Sequence, residues 1–487
     1  MKRQLAFDKL DAAFERGFFR TVDLFAGCGG MSAGFDRAGF RSVCAIEIDQ
    51  HARDSHRTNF SSLVPGGDYA AHADITEVSP VDATAHLDPL FGTADSRIDV
   101  IVGGPPCQAF SRLGRARLWD LAGKKHAHAQ DARSTMYEYY LGYVEQLRPI
   151  AFVMENVREM GKFVGRNLAE EIALRAEELG YETRYTILNA VWYGVPQLRE
   201  RLFVIGISKE LAVEPSLPAI EYDYELPVGY STSRAGQGRI EVLEPHDHYV
   251  DHWLRKRNLC AAITTEMAFA DLPPIYDHLD GRTGKGVVRD VNKRVPYVPV
   301  KNNFTKEMRS WPHFTNGADS FTGHVIRYTP RDYETFRRMP HGGMYPEALE
   351  TARSIFAERV AAHEQSTGAQ LMQGSKQWQQ ILNATVPPYP DNRYPNKFRK
   401  MWPSHPARTL PAHIGKDSYS HIHFDSDQAR CISLREAARL QSFPDGFHFC
   451  GSMNAQLRQI GNAVPPLLAY AVARELRKTL AKALRQC

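Results

Sequence analysis

The sequence predicts an α/β protein with a mostly parallel sheet, helices on both faces of that sheet, and a second, smaller and irregular domain. Short apolar runs alternate with helix-like stretches from Thr21 to about Gly206. The apolar runs predict strands at Thr21–Phe25, Ser42–Ile46, Asp99–Val102, Ala151–Met154, Tyr185–Leu188 and Phe203–Ile207. Helical spacing of apolar residues predicts helices between them, over 136–147 and 168–179. Such alternation is typical of a parallel sheet that helices cover on both sides.

The second half of the chain has a different texture. After Glu210 prolines, glycines, histidines and aromatic residues become dense, and only residues 346–364 keep a clear helical pattern. That pattern returns at 433–441 and at 466–483. We expect the last segment to pack back on the first domain, which divides the chain into residues 1–207, an inserted region 208–404, and a returning part 405–487.

Composition narrows the class of protein but not its activity. Of 487 residues, 43% are hydrophobic and 24% charged, as in soluble globular proteins. The first residues alternate charged and apolar side chains and no later apolar segment is long enough, so we expect no signal peptide and no membrane span. The seven cysteines, an odd number without paired CxxC spacing, argue against a disulfide framework and a structural zinc site, which indicates a reducing, cytoplasmic setting. No metal site is implied. The formal charge of +4 permits nucleic-acid binding without requiring it.

A glycine-rich loop follows the first strand in the stretch DLFAGCGGMSAGF, residues 23–35. Glycines there let the backbone turn tightly and approach a ligand, and the next helix begins with unpaired N–H groups. The second strand ends in AIEID, where Glu47 is suited to accept hydrogen bonds from ribose hydroxyls. Asp74 follows at the end of a third strand or its loop, near an adenine edge. A plain strand-to-helix turn is the alternative, but the GCGG spacing favours a nucleoside-type cofactor without pyrophosphate.

A single cysteine, Cys107, follows the rigid stretch VGGPP at the end of a predicted strand. Ligands bind at the carboxyl ends of strands in open α/β sheets, and the two prolines restrict the backbone before the thiol. Isolated cysteines are commonly small core residues. The polar, glycine-rich surroundings of Cys107 instead favour a nucleophile.

Charged residues end the neighbouring strands. Glu155 ends the next strand and should point into the same crevice as Cys107, where partial burial would raise its pKa. A capping or surface glutamate is the alternative. Strand alternation should aim Arg199 and Arg201 to one side and Glu200 to the other. Two guanidinium groups beside a crevice suit a phosphate or a carbonyl oxygen, whereas a surface salt-bridge cluster is the alternative.

The ordered motifs resemble the cytosine-C5 DNA methyltransferase family, which uses S-adenosylmethionine and has a Rossmann-like catalytic domain. The resemblance spans nearly the whole chain apart from about Ser208 to Ser404, where such enzymes carry a variable target-recognition region. The matching stretches are DLFAGCGG, AIEID, ADIT, GGPPCQAFS, MENV, GVPQLRER, RTLPAH, LREAARLQSFPDGFHF and QIGNAVPP.

The resemblance implies a role for each matched residue. Cys107 would attack cytosine C6, Glu155 would hold and help protonate N3, and Arg199 and Arg201 would assist near O2 and the phosphate backbone. The implied S-adenosylmethionine site consists of Phe25, Ala26, Gly27, Gly29, Gly30, Glu47, Ile48, Asp74, Ile75, Pro105, Asn462 and Ala463. Ile48 departs from the family, in which an aromatic residue often follows the ribose-binding acid, so the adenine contact would be aliphatic.

Two further segments receive expected roles. Residues 111–133 are basic and longer than is usual in the family, and we interpret them as a mobile lid over DNA, with a solvated surface loop as the alternative. Region 208–404 mixes arginine, lysine and histidine with Trp253, Trp311 and Trp378, as expected of a major-groove reader. The alternative is that this composition has no functional meaning, because any irregular domain contains a similar mixture of residues.

The predicted activity is therefore C5 methylation of a flipped cytosine in a specific duplex DNA sequence. The partners are double-stranded DNA and a cognate restriction or defence system, and the expected state is a monomer. One alternative is methylation of a tRNA cytosine, although the long middle region favours duplex DNA. Another is a non-catalytic DNA-binding relative, against which the intact Cys107 and glycine loop argue.

Overall fold

The computed structural model describes most of the chain, and its contacts divide it into two compact units. The first unit comprises residues 1–262, 447–450 and 462–487, and the second comprises 263–446 and 451–461. The residues that the structure describes are 2–89, 93–106, 136–162, 166–226, 247–250, 255–281, 289–299, 302–315, 319–390, 397–416 and 418–485.

The first unit contains a seven-stranded, mostly parallel sheet with the order β3-β2-β1-β4-β5-β7-β6. Only β7 runs antiparallel, to both β5 and β6. Every residue of the central strands β4 and β5 is buried, so both faces of the sheet are covered there. The predicted α/β class is confirmed. The strands are β1 (Phe19–Leu24), β2 (Phe40–Ile46), β3 (Ala70–His72), β4 (Val100–Gly103), β5 (Ala151–Asn156), β6 (Tyr181–Asn189) and β7 (Glu200–Ser208).

Helices of the first unit alternate with the strands from β1 to β6, whereas β6 and β7 are joined without an α-helix. The helix predicted over 136–147 has those bounds, and the one predicted over 168–179 ends one residue earlier. Two short strands, β8 (Ile220–Asp223) and β9 (Arg255–Ala261), pair in parallel. The helices are α1 (Lys2–Arg16), α2 (Gly30–Arg37), α3 (Gln50–Phe60), α4 (Pro80–Ala83), α5 (Met136–Leu147), α6 (Leu168–Glu178) and, from the end of the chain, α14 (Pro466–Arg485).

The last helix, α14, lies directly against α2. A Cβ atom on Gly34 would come within 2.4 Å of the Pro466 carbonyl oxygen and 2.5 Å of the Tyr470 nitrogen. Only glycine permits this backbone approach. The chain end therefore supports the helix that follows the glycine loop.

The regular secondary structure described in the second unit is mostly α-helical, and a cluster of ion-paired side chains lies in its interior. Arg439 on α12 is fully buried between Asp271 and Asp445, with Nη1 3.0 Å from Asp271 Oδ1. Pairing on both sides offsets the desolvation of the guanidinium group. The elements are α7 (Thr265–Phe269), β10 (Val295–Pro296), α8 (Asn303–Arg309), β11 (Ser320–Phe321), α9 (Tyr333–Arg338), α10 (Tyr345–Thr367), α11 (Lys376–Asn383), α12 (Leu434–Leu440) and α13 (Met453–Asn462), whose last residue belongs to the first unit.

The tryptophans named in region 208–404 have different environments. Trp311 is only 1% exposed and lies in the core of the second unit. Trp378 packs edge-on against Phe356, with ring centroids 5.2 Å apart. Trp253 lies outside the described residues, as does the expected lid 111–133. Among the residues that the structure describes, no helix combines the length and apolarity needed to cross a membrane.

Candidate active site

The strand order reverses between β1 and β4, and ligands in open α/β sheets bind at such a switch point, outside the carboxyl ends of the strands. The loop after β1 contains Phe25, Gly27 and Gly29, all with positive φ angles. Gly29, at φ 98°, precedes the first turn of α2. A Cβ atom at Gly29 would come within 2.3 Å of the Phe60 ring, whereas one at Gly27 would meet nothing within 4 Å. The loop therefore packs against the Phe60 ring at Gly29, whereas there is open space beside Gly27.

The carboxylate of Glu47 lies at this loop. Its Oε2 accepts a hydrogen bond from the Gly27 nitrogen at 2.9 Å, and its Oε1 accepts from the Asp49 nitrogen at 2.8 Å. Burial raises the pKa of Glu47, although both N–H groups oppose that shift. Each carboxylate oxygen retains a further lone pair that can accept from a ligand hydroxyl. The structure thus brings Glu47 and the glycine loop together.

An apolar surface and a second carboxylate lie further along the same edge of the sheet. Ile48, directly after Glu47, is 72% exposed and presents an aliphatic side chain to solvent. Asp74 Oδ1 accepts from the backbone nitrogen and the hydroxyl of Thr76, at 2.9 and 2.8 Å, so it also stabilises its own turn. Ile75 is buried. Carboxylates flanking an exposed aliphatic group beside an open glycine loop fit a nucleoside.

The loop after β4 is held closely between the neighbouring strands. A Cβ atom at Gly103 would come within 2.2 Å of the Leu24 carbonyl oxygen, and one at Gly104 within 2.8 Å of Glu155 Oε2. Asn156 Nδ2 donates to the Pro105 carbonyl at 3.1 Å. Cys107 itself lies outside the described residues, two positions beyond Pro105. The two glycines let this loop pass directly beside the Glu155 carboxylate.

Glu155 forms a buried ion pair at the end of β5. Its Oε1 lies 2.7 Å from Arg201 Nε on the adjacent strand β7. Burial raises the pKa of Glu155, and the charges of Arg201 and Arg199 partly offset that increase. A carboxyl group with a raised pKa is suited to donate a proton near neutral pH.

The arginines differ in their surroundings. Glu200, between them, pairs with Arg158 at 2.5 Å, away from Glu155. Arg199 is 1% exposed, and its Nη2 donates to the Ala463 carbonyl at 3.0 Å. Asn462, next to Ala463, is exposed. The structure therefore brings Glu155, Arg199 and Arg201 together, and Arg199 connects them to the segment that contains Asn462 and Ala463.

Asn156 is a site residue to which sequence reasoning assigned no role. It is 2% exposed, and its Oδ1 also accepts from the Val157 nitrogen at 2.9 Å. The available signal was a second polar side chain, directly after Glu155, at the end of a strand that is otherwise apolar. Its partner, the Pro105 carbonyl, is apparent only in three dimensions.

The fold and this site together define an α/β domain in which a cradle suited to a nucleoside adjoins a buried carboxylate–guanidinium pair. The family model described as C-5 cytosine-specific DNA methylase matches residues 19–270 and 288–478. The chain belongs to this family and is a DNA (cytosine-5-)-methyltransferase.

Individual relatives agree with this assignment. M.OihORF3336P of Oceanobacillus iheyensis is 34% identical over 464 residues, covering 94% of this chain and 95% of that protein. The type II methyltransferase M.AgeI of Thalassovita gelatinovora is 31% identical over 475 residues, covering 94% and 99%. A solved prophage-encoded protein of E. coli has a TM-score of 0.59 at 21% identity, covering 95% of this chain and 99% of that one, which shows the shared fold.

Proposed function

We propose that this enzyme transfers a methyl group from S-adenosylmethionine to C5 of a cytosine in a specific duplex DNA sequence. The observation that carries the proposal is the buried Glu155–Arg201 pair beside the loop that leads into Cys107. Membership of the C-5 cytosine-specific DNA methylase family supports the same chemistry.

Several residues would hold the cofactor. The backbone from Phe25 to Gly30 surrounds the open position at Gly27, Glu47 would accept from ribose hydroxyls, and Ile48 would cover one face of the adenine. Asp74 would accept from the adenine amine, with Ile75, Pro105, Asn462 and Ala463 completing the site. When bound, S-adenosylmethionine supplies an electrophilic methyl group.

Cytosine C5 needs activation before it can accept a methyl group. The Cys107 thiolate would form a bond to C6 while Glu155 donates its proton to N3, which makes C5 nucleophilic. After C5 is methylated, a base removes the C5 proton, the electron pair re-forms the C5–C6 double bond as the Cys107–C6 bond breaks, and the N3 proton returns to Glu155. A thiolate suits both steps because it attacks and leaves readily.

The arginines would position this chemistry. Arg201 holds one Glu155 oxygen, which orients the carboxyl group towards the base. Arg199 adds positive charge near the same carboxyl group and joins it to the Ala463 carbonyl. Contact of these arginines with cytosine O2 or with a phosphate is part of the proposal.

The target cytosine must leave the DNA stack to reach Cys107 and Glu155. Flipping a base costs a few kcal/mol, and contacts of the protein with phosphates and with the opened stack would offset this cost. We assign sequence recognition to region 208–404, a lid role to 111–133, and a restriction-modification or related defence system as the setting, with the enzyme acting as a monomer.

The test is transfer of labelled methyl groups to mixed-sequence duplex DNA and, in parallel, to tRNA, with the product base mapped. We expect C5-methylcytosine at one short repeated DNA site, and no transfer by the Cys107→Ser protein. Cys260→Ser is the matched control, because Cys260 is an exposed cysteine on β9 of the same unit. Label on tRNA alone would contradict the DNA assignment, and label in the Cys107→Ser protein would contradict the nucleophile.

A further inference from the structure

A buried polar cluster below the glycine loop is not used by the proposed function. It consists of Asp23 near the end of β1, Ser32 in the first turn of α2, His56 in α3 and Tyr69 just before β3. The first three are at most 3% exposed. Because buried polar groups are costly unless they are hydrogen-bonded, their partners are informative.

These four side chains form one continuous chain of hydrogen bonds. Ser32 Oγ donates to Asp23 Oδ2 at 2.6 Å and lies 3.1 Å from His56 Nε2, while His56 Nδ1 lies 2.8 Å from the Tyr69 hydroxyl oxygen. The Ser32 proton is used on the carboxylate, so Nε2–H donates to the Ser32 oxygen, and Nε2 also lies 3.6 Å from Asp23 Oδ2. In the neutral imidazole, Nδ1 then accepts from the Tyr69 hydroxyl. Burial raises the pKa of Tyr69 well above its ordinary value, which keeps this hydroxyl a donor.

This chain of bonds joins the three segments that carry the proposed cofactor contacts. Asp23 and Ser32 lie on either side of the glycine loop. His56 belongs to the helix that follows Glu47 and Asp49, and Tyr69 precedes the strand that leads to Asp74. These side-chain contacts therefore connect the loop, Glu47 and Asp74 in addition to the backbone bonds, in which the Ala26 nitrogen donates to the Ile46 carbonyl and the Glu47 nitrogen to the His72 carbonyl.

The rings of the same helix support the loop sterically. A Cβ atom at Gly29 would come within 3.0 Å of the His56 ring and within 2.3 Å of Phe60. The His56 and Phe60 ring centroids are 4.5 Å apart. His56 thus contacts the loop region twice, through Ser32 by a hydrogen bond and below Gly29 by packing.

We infer that Asp23, Ser32, His56 and Tyr69 are positioning residues for the cofactor, which set the spacing of the glycine loop, Glu47 and Asp74. Apolar side chains of similar size would pack these elements, but directional hydrogen bonds also select one arrangement. Because the ligand concerned is S-adenosylmethionine, this role rests on the proposed function.

The central test is Tyr69→Phe. This substitution removes the hydroxyl group at the end of the hydrogen-bonded series and leaves the aromatic ring. Losing one such bond should raise the Kd for S-adenosylhomocysteine and the KM for S-adenosylmethionine by about three- to tenfold, with kcat and DNA affinity changed by less than about twofold. Tyr181→Phe is the matched control. Its hydroxyl donates to the Pro149 carbonyl at 2.8 Å, in another part of the same unit, and this variant should keep wild-type cofactor affinity.

A pair of His56 variants provides a second, independent readout. His56→Gln keeps an N–H donor for Ser32, whereas His56→Leu does not, so we expect cofactor affinity to be closer to wild type for His56→Gln. Tyr69→Phe and Tyr181→Phe proteins with the same lowered Tm and unchanged Kd would overturn the positioning role. A wild-type protein that binds no S-adenosylhomocysteine would instead contradict the proposed function.

Discussion

Two opposing electrostatic effects act on the carboxyl group of Glu155. Burial raises its pKa, the guanidinium groups of Arg201 and Arg199 lower it, and burial is the larger effect. The raised pKa favours proton donation to a base near neutral pH. The same imbalance makes the ionised form of Glu155 unfavourable for folding, so a catalytic advantage is coupled to a stability cost.

We predict that Glu155→Gln loses activity without losing stability at pH 8. Since the folded pKa lies above the unfolded one, the stability that Glu155 contributes is present below the unfolded pKa and is lost as the pH rises through the folded pKa. The neutral glutamine should therefore give an equal or higher Tm at pH 8, with the methyl-transfer rate lowered about 100-fold or more. Calorimetry at pH 5 and pH 8 checks the sign, and a clearly lower Tm for the variant at pH 8 would contradict it.

Asn156 is a second single residue with an expected effect on activity, because its side chain holds the backbone of the loop before Cys107. We predict that Asn156→Ala lowers the single-turnover rate by about 10- to 100-fold, because small displacements of a reacting group cost that much, while cofactor affinity stays unchanged. Asn167→Ala is the control, since Asn167 donates to the Tyr185 hydroxyl at 2.9 Å on the far edge of the sheet. Equal loss of rate in the two variants would argue against a specific role for Asn156.

At the scale of elements, the start of α2 depends on a contact between backbone and aromatic rings. Gly29 has a φ angle of 98°, and no space for a Cβ atom exists above Phe60 and His56. The loop and the helix it begins are therefore seated on α3. Gly180 has nearly the same φ, 96°, at the end of the α6 region, but nothing lies within 4 Å of its Cβ position.

Alanine substitutions at these two glycines allow the cost of backbone strain to be measured separately from the cost of a steric clash. We predict that Gly180→Ala costs about 1–2 kcal/mol, the penalty for a left-handed conformation. Gly29→Ala should cost a further 1–3 kcal/mol from overpacking and should weaken cofactor binding. Urea unfolding of both variants measures the difference. Equal free energies of unfolding would show that the space below Gly29 relaxes to accept a methyl group.

Some helices and strands could be predicted from the sequence, and others could not. Helices α5 and α6 were predicted within one residue, because their apolar side chains repeat with helical spacing over three turns. The strand β3 has three residues, all only partly buried, too few to give a pattern. The segment that forms α1 alternates charged and apolar residues, a pattern that does not indicate that Lys9 is buried or which groups it contacts.

At the scale of the first unit, α1 is anchored by that lysine. Lys9 is fully buried, and its Nζ donates to the carbonyls of Ile98, Leu147 and Arg148 at 3.0, 3.2 and 2.8 Å. Burial lowers the pKa of Lys9 to about 8, although nearby carboxylates such as Asp99 oppose the shift. A cation at the carbonyl end of α5 is electrostatically favourable, but removing it from water is costly.

We predict a stability increase at alkaline pH that is specific to Lys9. Between about pH 8 and 10.5 the unfolded chain binds more protons at this group, so the free energy of unfolding should rise with pH, by up to about 3 kcal/mol. Lys9→Met should lack this component. Lys478→Met, at an exposed position on α14, should keep it. Urea unfolding across this range tests the prediction, and parallel pH profiles for wild type and Lys9→Met would refute it.

The sequence by itself determined the α/β class, the order of most strands along the chain, the family and the residues that end the central strands. These follow from local patterns, since strand and helix periodicity and short motifs are read within a few neighbouring positions. The inserted region 208–404 remained uncertain for the same reason, because it contains few such patterns, and the burial of Trp311 could not be predicted from its neighbours in the sequence.

Only the tertiary structure decided which side chains meet. Arg201 pairs with Glu155 across adjacent strands, and Arg199 binds a carbonyl 264 positions further along the chain. Likewise, His56 connects Ser32 to Tyr69, and Lys9 reaches Leu147. Hydrogen bonds depend on distances of about 3 Å between groups whose sequence separation carries no information about that distance, so their partners are settled by how the elements pack.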